Sequence, residues 1–110
     1  MLAKELAETL GYIVINNAGL DNEILDGYTS DLLSDVMGNA PEDSVLITIQ
    51  AHKNTVAVAS LAGIGAIILC NNREAPDDMI EAATKEDIAV IKTQDNQFVA
   101  SYKVYNCLEL

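Results

Sequence analysis

Basic residues are few in this sequence. Lysine and arginine contribute 6 of the 110 residues, against 17 aspartates and glutamates, so the formal net charge is −11. A protein that binds nucleic acid needs clustered cations to displace the counterions of the phosphates. Attraction to an anionic membrane surface depends on cations as well. The composition therefore predicts a protein that binds neither nucleic acid nor a membrane.

Cysteine is also scarce. The two cysteines, Cys70 and Cys107, have no second cysteine or histidine nearby at the spacing of a metal site. We expect both to be reduced thiols that pack as small hydrophobic side chains. Neither a metal ion nor a cofactor is predicted.

The sequence contains no long uninterrupted apolar segment. The longest apolar stretch, residues 55–70, contains Ser60, Gly63 and Gly65 and is short for a membrane span. Residues 1–10 have the spacing of an amphipathic helix rather than the apolar centre of a signal peptide. The sequence thus predicts a cytoplasmic protein.

Hydrophobic residues make up half of the chain, which is enough for the core of one domain of this length. Apolar runs typical of strands lie at residues 12–15, 24–28, 44–49, 66–69 and 89–91. Segments typical of helices lie at residues 1–10, 31–37 and 52–61, after Pro76, and after Thr93 or Asp95. Because strands and helices alternate at short spacing, we predict a single three-layer α/β domain over residues 1–110, with a mainly parallel sheet of about five strands.

Two of these helices carry unusual apolar patterns. Residues 52–61 are apolar nearly all round, which is typical of a helix buried under a sheet or at a subunit contact. In the last helix, Phe98, Tyr102 and Tyr105 share one face at spacings of four and three residues. We expect these aromatic side chains to lie in the core or at a dimer contact. Thr93 or Asp95 is expected to cap this helix.

The order and spacing of the segments resemble those of the DRTGG domain family, especially its small stand-alone members. The resemblance covers almost the whole chain and rests on residues 27–37 (GYTSDLLSDVM), 45–50 (VLITIQ), 52–61, 65–69 (GAIIL), 73–76 (REAP) with the helix that follows, and 88–91 (IAVI). The family is similar to the N-terminal domain of HPr kinase/phosphorylase. The resemblance implies a three-layer α/β fold and a regulatory or assembly role.

The chain departs from this family in the turn after the penultimate strand. Relatives typically have a Thr-Gly-Gly turn there, whereas this chain has residues 70–72 (CNN). Asparagine tolerates a left-handed backbone better than most residues, so we expect the turn to persist.

Kinase activity is not expected, despite the resemblance to a kinase-associated domain. A phosphate-binding loop of the pattern G-x-x-x-x-G-K-[ST] cradles phosphates with backbone N–H groups and a lysine. The nearest glycine pair, Gly63 and Gly65, is followed by no such lysine. The sequence therefore indicates a non-enzymatic protein.

A first group of candidate ligand contacts follows the third predicted strand. Gln50 follows that strand, and His52 and Asn54 lie at the start of the next predicted helix. Ligands of open parallel sheets bind at the carboxyl ends of the strands, and free N–H groups at a helix start suit an anion. The alternative is that His52, the one histidine, caps the helix or lies in solvent.

A second group lies in the predicted helix at residues 31–37. Asp31 and Asp35 are four residues apart and would share a helical face, with Ser30 and Ser34 beside them. Paired carboxylates can hold a divalent cation or divide acid and base roles. The alternative is helix capping together with a solvated acidic face.

A third group, Asn71, Asn72 and Arg73, follows the fourth predicted strand. Arg73 is the one arginine of the chain and could bind a carboxylate or phosphate through two hydrogen bonds. The alternative is a surface ion pair of Arg73 with Glu74 or Asp77.

Three functional hypotheses follow. The first is a non-catalytic regulatory or assembly module, a homodimer that senses a small ligand or binds a partner enzyme. The second is a small metal- or histidine-dependent hydrolase or transferase that uses His52 with Asp31 and Asp35. The third is a ligand-free interaction subunit with an acidic surface, since residues 21–43 hold seven acidic residues and no basic one.

Overall fold

Five helices and five strands make up the computed structural model, which describes residues Met1–Leu110. The helices are α1 (Ala3–Leu10), α2 (Leu33–Asn39), α3 (Lys53–Ala62), α4 (Asp77–Lys85) and α5 (Gln97–Cys107). The strands are β1 (Ile13–Val14), β2 (Asp26–Thr29), β3 (Ser44–Thr48), β4 (Ala66–Leu69) and β5 (Ala89–Lys92). None of the helices combines the length and the apolar character that crossing a membrane requires.

The strands form one sheet in the order β1-β5-β4-β3-β2. Strands β2 to β5 are parallel, and β1 pairs antiparallel with β5. Helices α2, α3 and α4 pack on one face of the sheet, whereas α1 and α5 pack on the other. The predicted three-layer α/β fold with a mainly parallel sheet of five strands is therefore confirmed.

The central strands are buried on both faces, which explains their continuous apolar sequence. Every residue of β3 and β4 is buried. Ala66 and Ile68 of β4 face α1 and α5, while Ile67 and Leu69 face the three helices on the opposite side. Two cores therefore flank the sheet, and β3 to β5 contribute to both.

Helix α3 is not buried all round. Its buried residues are Thr55, Val56 and Ala59, whereas Leu61 is 76% exposed. Within one chain α3 is buried on one side only, because it lies in an outer layer and contacts the sheet with that side; a subunit contact on its outer face stays a prediction.

The aromatic stripe of the last helix is not in the core. Phe98, Tyr102 and Tyr105 are 84%, 64% and 58% exposed, and the buried residues of α5 are Ala100 and Val104. Both sets have helical spacing, but the small side chains let α5 approach the sheet closely.

The beginnings of two helices also differ from the prediction. Asn96 caps α5, since its Oδ1 accepts a hydrogen bond from the Val99 N–H at 2.9 Å. The predicted caps, Thr93 and Asp95, are engaged elsewhere. Helix α2 begins at Leu33 rather than at residue 31, so Asp31 precedes it.

Candidate functional site

The carboxyl ends of β2 to β5 meet at one side of the sheet, here called the carboxyl edge. The chain leaves β4 towards α4 on one face, but it leaves β5 towards α5 on the other face. The helices that follow these neighbouring strands therefore lie on opposite faces of the sheet. In open α/β sheets, ligands bind in the crevice at such a reversal.

Asp31 connects several elements at the carboxyl edge. Its Oδ1 accepts hydrogen bonds from Thr48 Oγ1 at 2.8 Å, from the Ile49 N–H at 3.0 Å and from Gln97 Nε2 at 2.9 Å. The predicted contact Gln50 joins it, because Gln50 Nε2 donates to the Asp31 carbonyl at 3.0 Å. We call Asp31, Thr48, Gln50 and Gln97 the Asp31 cluster. It joins the ends of β2 and β3 to the start of α5.

The other polar residues of the second group do not join Asp31. Asp35 accepts hydrogen bonds from the Tyr28 hydroxyl at 2.9 Å and from Asn39 Nδ2 at 2.9 Å. These bonds, chiefly the one from Tyr28, lower the pKa of Asp35. Ser30 Oγ accepts from the Leu32 N–H at 3.2 Å, and Ser34 is exposed. Because Asp31 precedes the helix, the carboxylate pair predicted from helical spacing does not form.

His52 caps α3. Its Nδ1 accepts a hydrogen bond from the Asn54 N–H at 3.0 Å, and both side chains are exposed. No group of three or more metal-ligating side chains lies together anywhere in the chain. The structure therefore does not assemble His52, Asp31 and Asp35 into the site that the hydrolase hypothesis requires.

The third predicted group forms the turn after β4. Asn71 and Asn72 have φ angles of 57° and 55°, so the expected left-handed turn is present. Their N–H groups donate to the carbonyls of Asp95 at 3.0 Å and Thr93 at 2.9 Å, which ties the loop after β4 to the loop after β5. Arg73 is exposed.

The predicted ion pair of Arg73 does not form. Glu74 pairs with Lys92 of β5 instead, and Arg73 takes part in none of the four ion pairs of the chain. The one guanidinium therefore remains available to a ligand or to solvent.

A group that the sequence analysis missed surrounds Asp95. Its Oδ2 accepts hydrogen bonds from the Tyr12 hydroxyl at 2.7 Å and from Lys103 Nζ at 2.8 Å. The bond from Lys103 is the largest cause that lowers the pKa of Asp95. Burial, followed by the bond to Asp95, raises the pKa of Tyr12. Lys103 Nζ also lies 5.9 Å from the centroid of the Tyr12 ring.

These side chains line a cleft of about 330 Å³, which we call the β5 cleft. Its wall includes Tyr12, Ile13, Asn72, Lys92, Asp95 and Lys103. Of the ten residues predicted as ligand contacts, only Asn72 lines it. The only sequence signal for this cleft is the polar pair Thr93 and Asp95 after the last strand, which was interpreted as a choice of caps for the last helix.

No family model and no curated protein matches the chain. Among solved structures, the chain is similar to the crystal structure of the CBS and DRTGG domains of the regulatory region of Clostridium perfringens pyrophosphatase, complexed with its activator, diadenosine tetraphosphate. The TM-score is 0.70 and the sequence identity is 16%. The alignment covers 94% of this chain and 45% of that one, so this chain spans less than half of its length. The likeness supports a DRTGG-like fold.

Proposed function

We propose that this protein is a non-catalytic regulatory module that senses a small ligand at the carboxyl edge of its sheet. The observation that carries the proposal is the β5 cleft at the carboxyl end of β5, where Ile13 of β1, Asn72 of the loop after β4 and Lys103 of α5 contribute to the wall. Binding sites of α/β proteins favour this position. A regulatory role is supported by the similar fold in a pyrophosphatase regulatory region that was crystallised with a nucleotide activator.

Further features are consistent with the proposal. The one histidine, His52, is engaged as a helix cap, which supports a non-catalytic role. Cys70 is buried and Cys107 is half-buried, and both are free thiols, which supports the cytoplasm as the compartment. The order of elements also supports the proposed relation to the N-terminal domain of HPr kinase/phosphorylase.

A thermal-shift screen tests the sensing function. The panel contains nucleotides including diadenosine tetraphosphate, phosphorylated metabolites, small carboxylates, amino acids, neutral nucleosides and divalent metal ions. A ligand present at one hundred times its Kd stabilises the fold by about 2.7 kcal/mol. We expect at least one compound to raise Tm. If the protein melts cooperatively and no compound raises Tm, the proposal is wrong.

Two matched variants locate the binding. Asn72→Asp adds a carboxylate to the wall of the β5 cleft at a left-handed position that aspartate tolerates. Asn54→Asp makes the same change outside the cleft, at the start of α3. We expect only Asn72→Asp to alter the ligand-induced shift. Equal responses of the two variants would place the ligand elsewhere.

The proposal includes a homodimer formed through the α5 face, by which we mean Phe98, Tyr102 and Tyr105. Lys103 is the only charged residue within α5, and Asp95 pairs with it. Because each chain carries a net charge of −11, two copies repel each other, and a contact surface without carboxylates keeps that repulsion lowest. Exposed aromatic residues without charge are typical of interface cores.

Sedimentation equilibrium tests the dimer and its contact surface. At micromolar concentration we expect twice the chain mass of 11.8 kDa. The double variant Phe98→Ser with Tyr102→Ser should sediment as a monomer. Leu61→Ser, on the exposed face of α3, serves as the control and should remain a dimer. If the wild-type protein is a monomer, the dimer is excluded. If Leu61→Ser is a monomer, α3 forms the dimer contact instead of α5.

A further inference from the structure

We infer that the β5 cleft binds a small organic anion, either a carboxylate or a phosphate monoester. This inference rests on the proposed sensing function and names its ligand class. Two ammonium groups, from Lys92 and Lys103, and one carboxylate, from Asp95, line the cleft. The wall itself therefore has one more cation than anion, and the carboxylate that pairs with Lys92, Glu74, lies outside the wall.

The two lysines retain donors for a ligand. A lysine ammonium carries three N–H donors, and each of these two groups has one carboxylate partner, Asp95 for Lys103 and Glu74 for Lys92. The side chain of Glu74 is 84% exposed, against 19% for Lys92. A pair with so exposed a partner contributes little stability. A ligand anion can therefore bind the Lys92 ammonium together with Glu74 or displace Glu74 from it.

Lys103 is held in place before any ligand binds. Asp95 accepts its hydrogen bond, and the ring of Tyr12 lies beneath its ammonium. The Tyr12 hydroxyl in turn holds the same oxygen of Asp95. Such pre-organisation reduces the entropy lost on binding. The side-chain amides of Asn72 and Gln94 line the same cleft and add uncharged donors.

The wall also has an apolar part. Leu10, Ile13 and the ring of Tyr12 lie beside the charged groups, and Ile13 is largely exposed. An inorganic ion would leave this surface uncovered, whereas an organic anion covers it. A volume of about 330 Å³ is near the lower end of the range for ligand sites and suits one small metabolite.

A second cleft of the molecule also contains two lysines, but its wall has no excess of positive charge. It measures about 370 Å³, lies between α3 and α4 and contains Lys53 and Lys85. Three carboxylates, those of Asp78, Glu81 and Glu86, share it with them. Of these two clefts, only the β5 cleft has more lysines than carboxylates in its wall, so the second cleft supplies a matched control.

Amide NMR titrations of the full chain test the inference with four probes. Phenyl phosphate and phenylacetate represent the two anion types, benzyl alcohol is their neutral analogue, and inorganic phosphate has no organic part. We expect one or both aromatic anions to shift the amide signals of Tyr12, Gln94 and Lys103. Benzyl alcohol and inorganic phosphate should bind at least about tenfold more weakly. The stronger of the two aromatic anions identifies the anion type.

Variants decide whether the lysines bind the anion. Lys103→Met should weaken binding by about tenfold or more, whereas Lys85→Met, in the second cleft, should leave it unchanged. Lys92→Met replaces Lys103→Met if the latter does not fold. Equal binding of benzyl alcohol, or equal losses in the two lysine variants, would overturn the inference.

Different results would refute the proposed ligand class and the proposed sensing function. If a neutral or cationic compound of the thermal-shift panel binds in the β5 cleft and none of the anions does, the ligand class is wrong and the sensing function stands. If no compound of either experiment binds, both are wrong.

Discussion

Asp31 holds three parts of the molecule together with one carboxylate oxygen. Its partners come from the end of β3, from the residue after that strand and from the first residue of α5. A carboxylate that accepts several hydrogen bonds is a strong local anchor, because bonds to charged groups exceed those between neutral groups in strength. The Asp31 cluster therefore stabilises the carboxyl edge whether or not a ligand touches it.

Replacement of Asp31 by alanine removes the acceptor from all three donors at once. We expect Asp31→Ala to lower the free energy of unfolding by about 2–3 kcal/mol, since the buried Thr48 hydroxyl loses the acceptor of the hydrogen bond that it donates. Urea denaturation measures the change. Glu81→Ala, at an exposed position of α4, removes the same charge and should have little effect. Equal midpoints for the two variants would contradict a structural role for Asp31.

Most carboxylates of the acidic segment at residues 21–43 have intramolecular partners. The engaged acids are Asp21 with Lys4, Glu23 with the N-terminal amine, Asp26 with the Gly27 N–H, Asp31 with its cluster, and Asp35 with Tyr28 and Asn39. Only Glu42 and Asp43 have no such side-chain contact. The segment therefore presents fewer free carboxylates to a basic partner than its composition suggests.

At the level of elements, the turn after β4 determines the shape of the carboxyl edge. Two consecutive left-handed residues, Asn71 and Asn72, direct their N–H groups to the loop after β5. The asparagines adopt the left-handed conformation that glycine adopts without strain.

The turn is tested by paired substitutions. The double change of Asn71 and Asn72 to glycine should leave the free energy of unfolding within about 0.5 kcal/mol of wild type. The double change to alanine should cost roughly 1–2 kcal/mol, because alanine has no compensation for a positive φ. Thermal and urea unfolding measure both, with Asn17→Ala as the control at an exposed asparagine of ordinary φ. An alanine variant as stable as the glycine variant would argue against a strained turn.

At the level of the whole molecule, charge is unevenly distributed. Residues 1–50 contain one of the six basic residues, whereas Arg73, Lys92 and Lys103 belong to the carboxyl edge or to the helix beside it. Four ion pairs form. In three of them at least one partner is more than half exposed, and in the pair of Lys103 with Asp95 both partners are partly exposed. Such pairs contribute little, so repulsion among the excess carboxylates dominates the electrostatic energy.

Salt should therefore stabilise this protein. Between about 0.01 M and about 1 M NaCl the screening length falls from about 30 Å to about 3 Å, which weakens repulsion within a chain of net charge −11. We expect Tm to rise over this range. The variant Glu42→Gln with Asp43→Asn removes two unpaired charges and should gain less from salt. A decrease in Tm with salt would show that the ion pairs outweigh the repulsion.

Local sequence patterns are sufficient to predict the layered architecture and the central strands. The apolar run of β4 predicted its bounds, and the alternation of elements predicted the parallel sheet. The asparagines after β4 predicted the left-handed turn. These are local properties, since hydrophobic periodicity and backbone preference depend on neighbouring residues.

The side chains that meet at the carboxyl edge are brought together by long-range contacts, which local patterns do not predict. Tyr12 and Asp95 are 83 residues apart, and they meet because β1 pairs antiparallel with β5, with Ile13 opposite Lys92. The choice between two helical stripes of α5 likewise depended on the space available against the sheet, which admits Ala100 and Val104 but leaves Phe98 outside. Strand pairing at a sheet edge and fit against a packed surface are long-range properties, and local periodicity does not contain them.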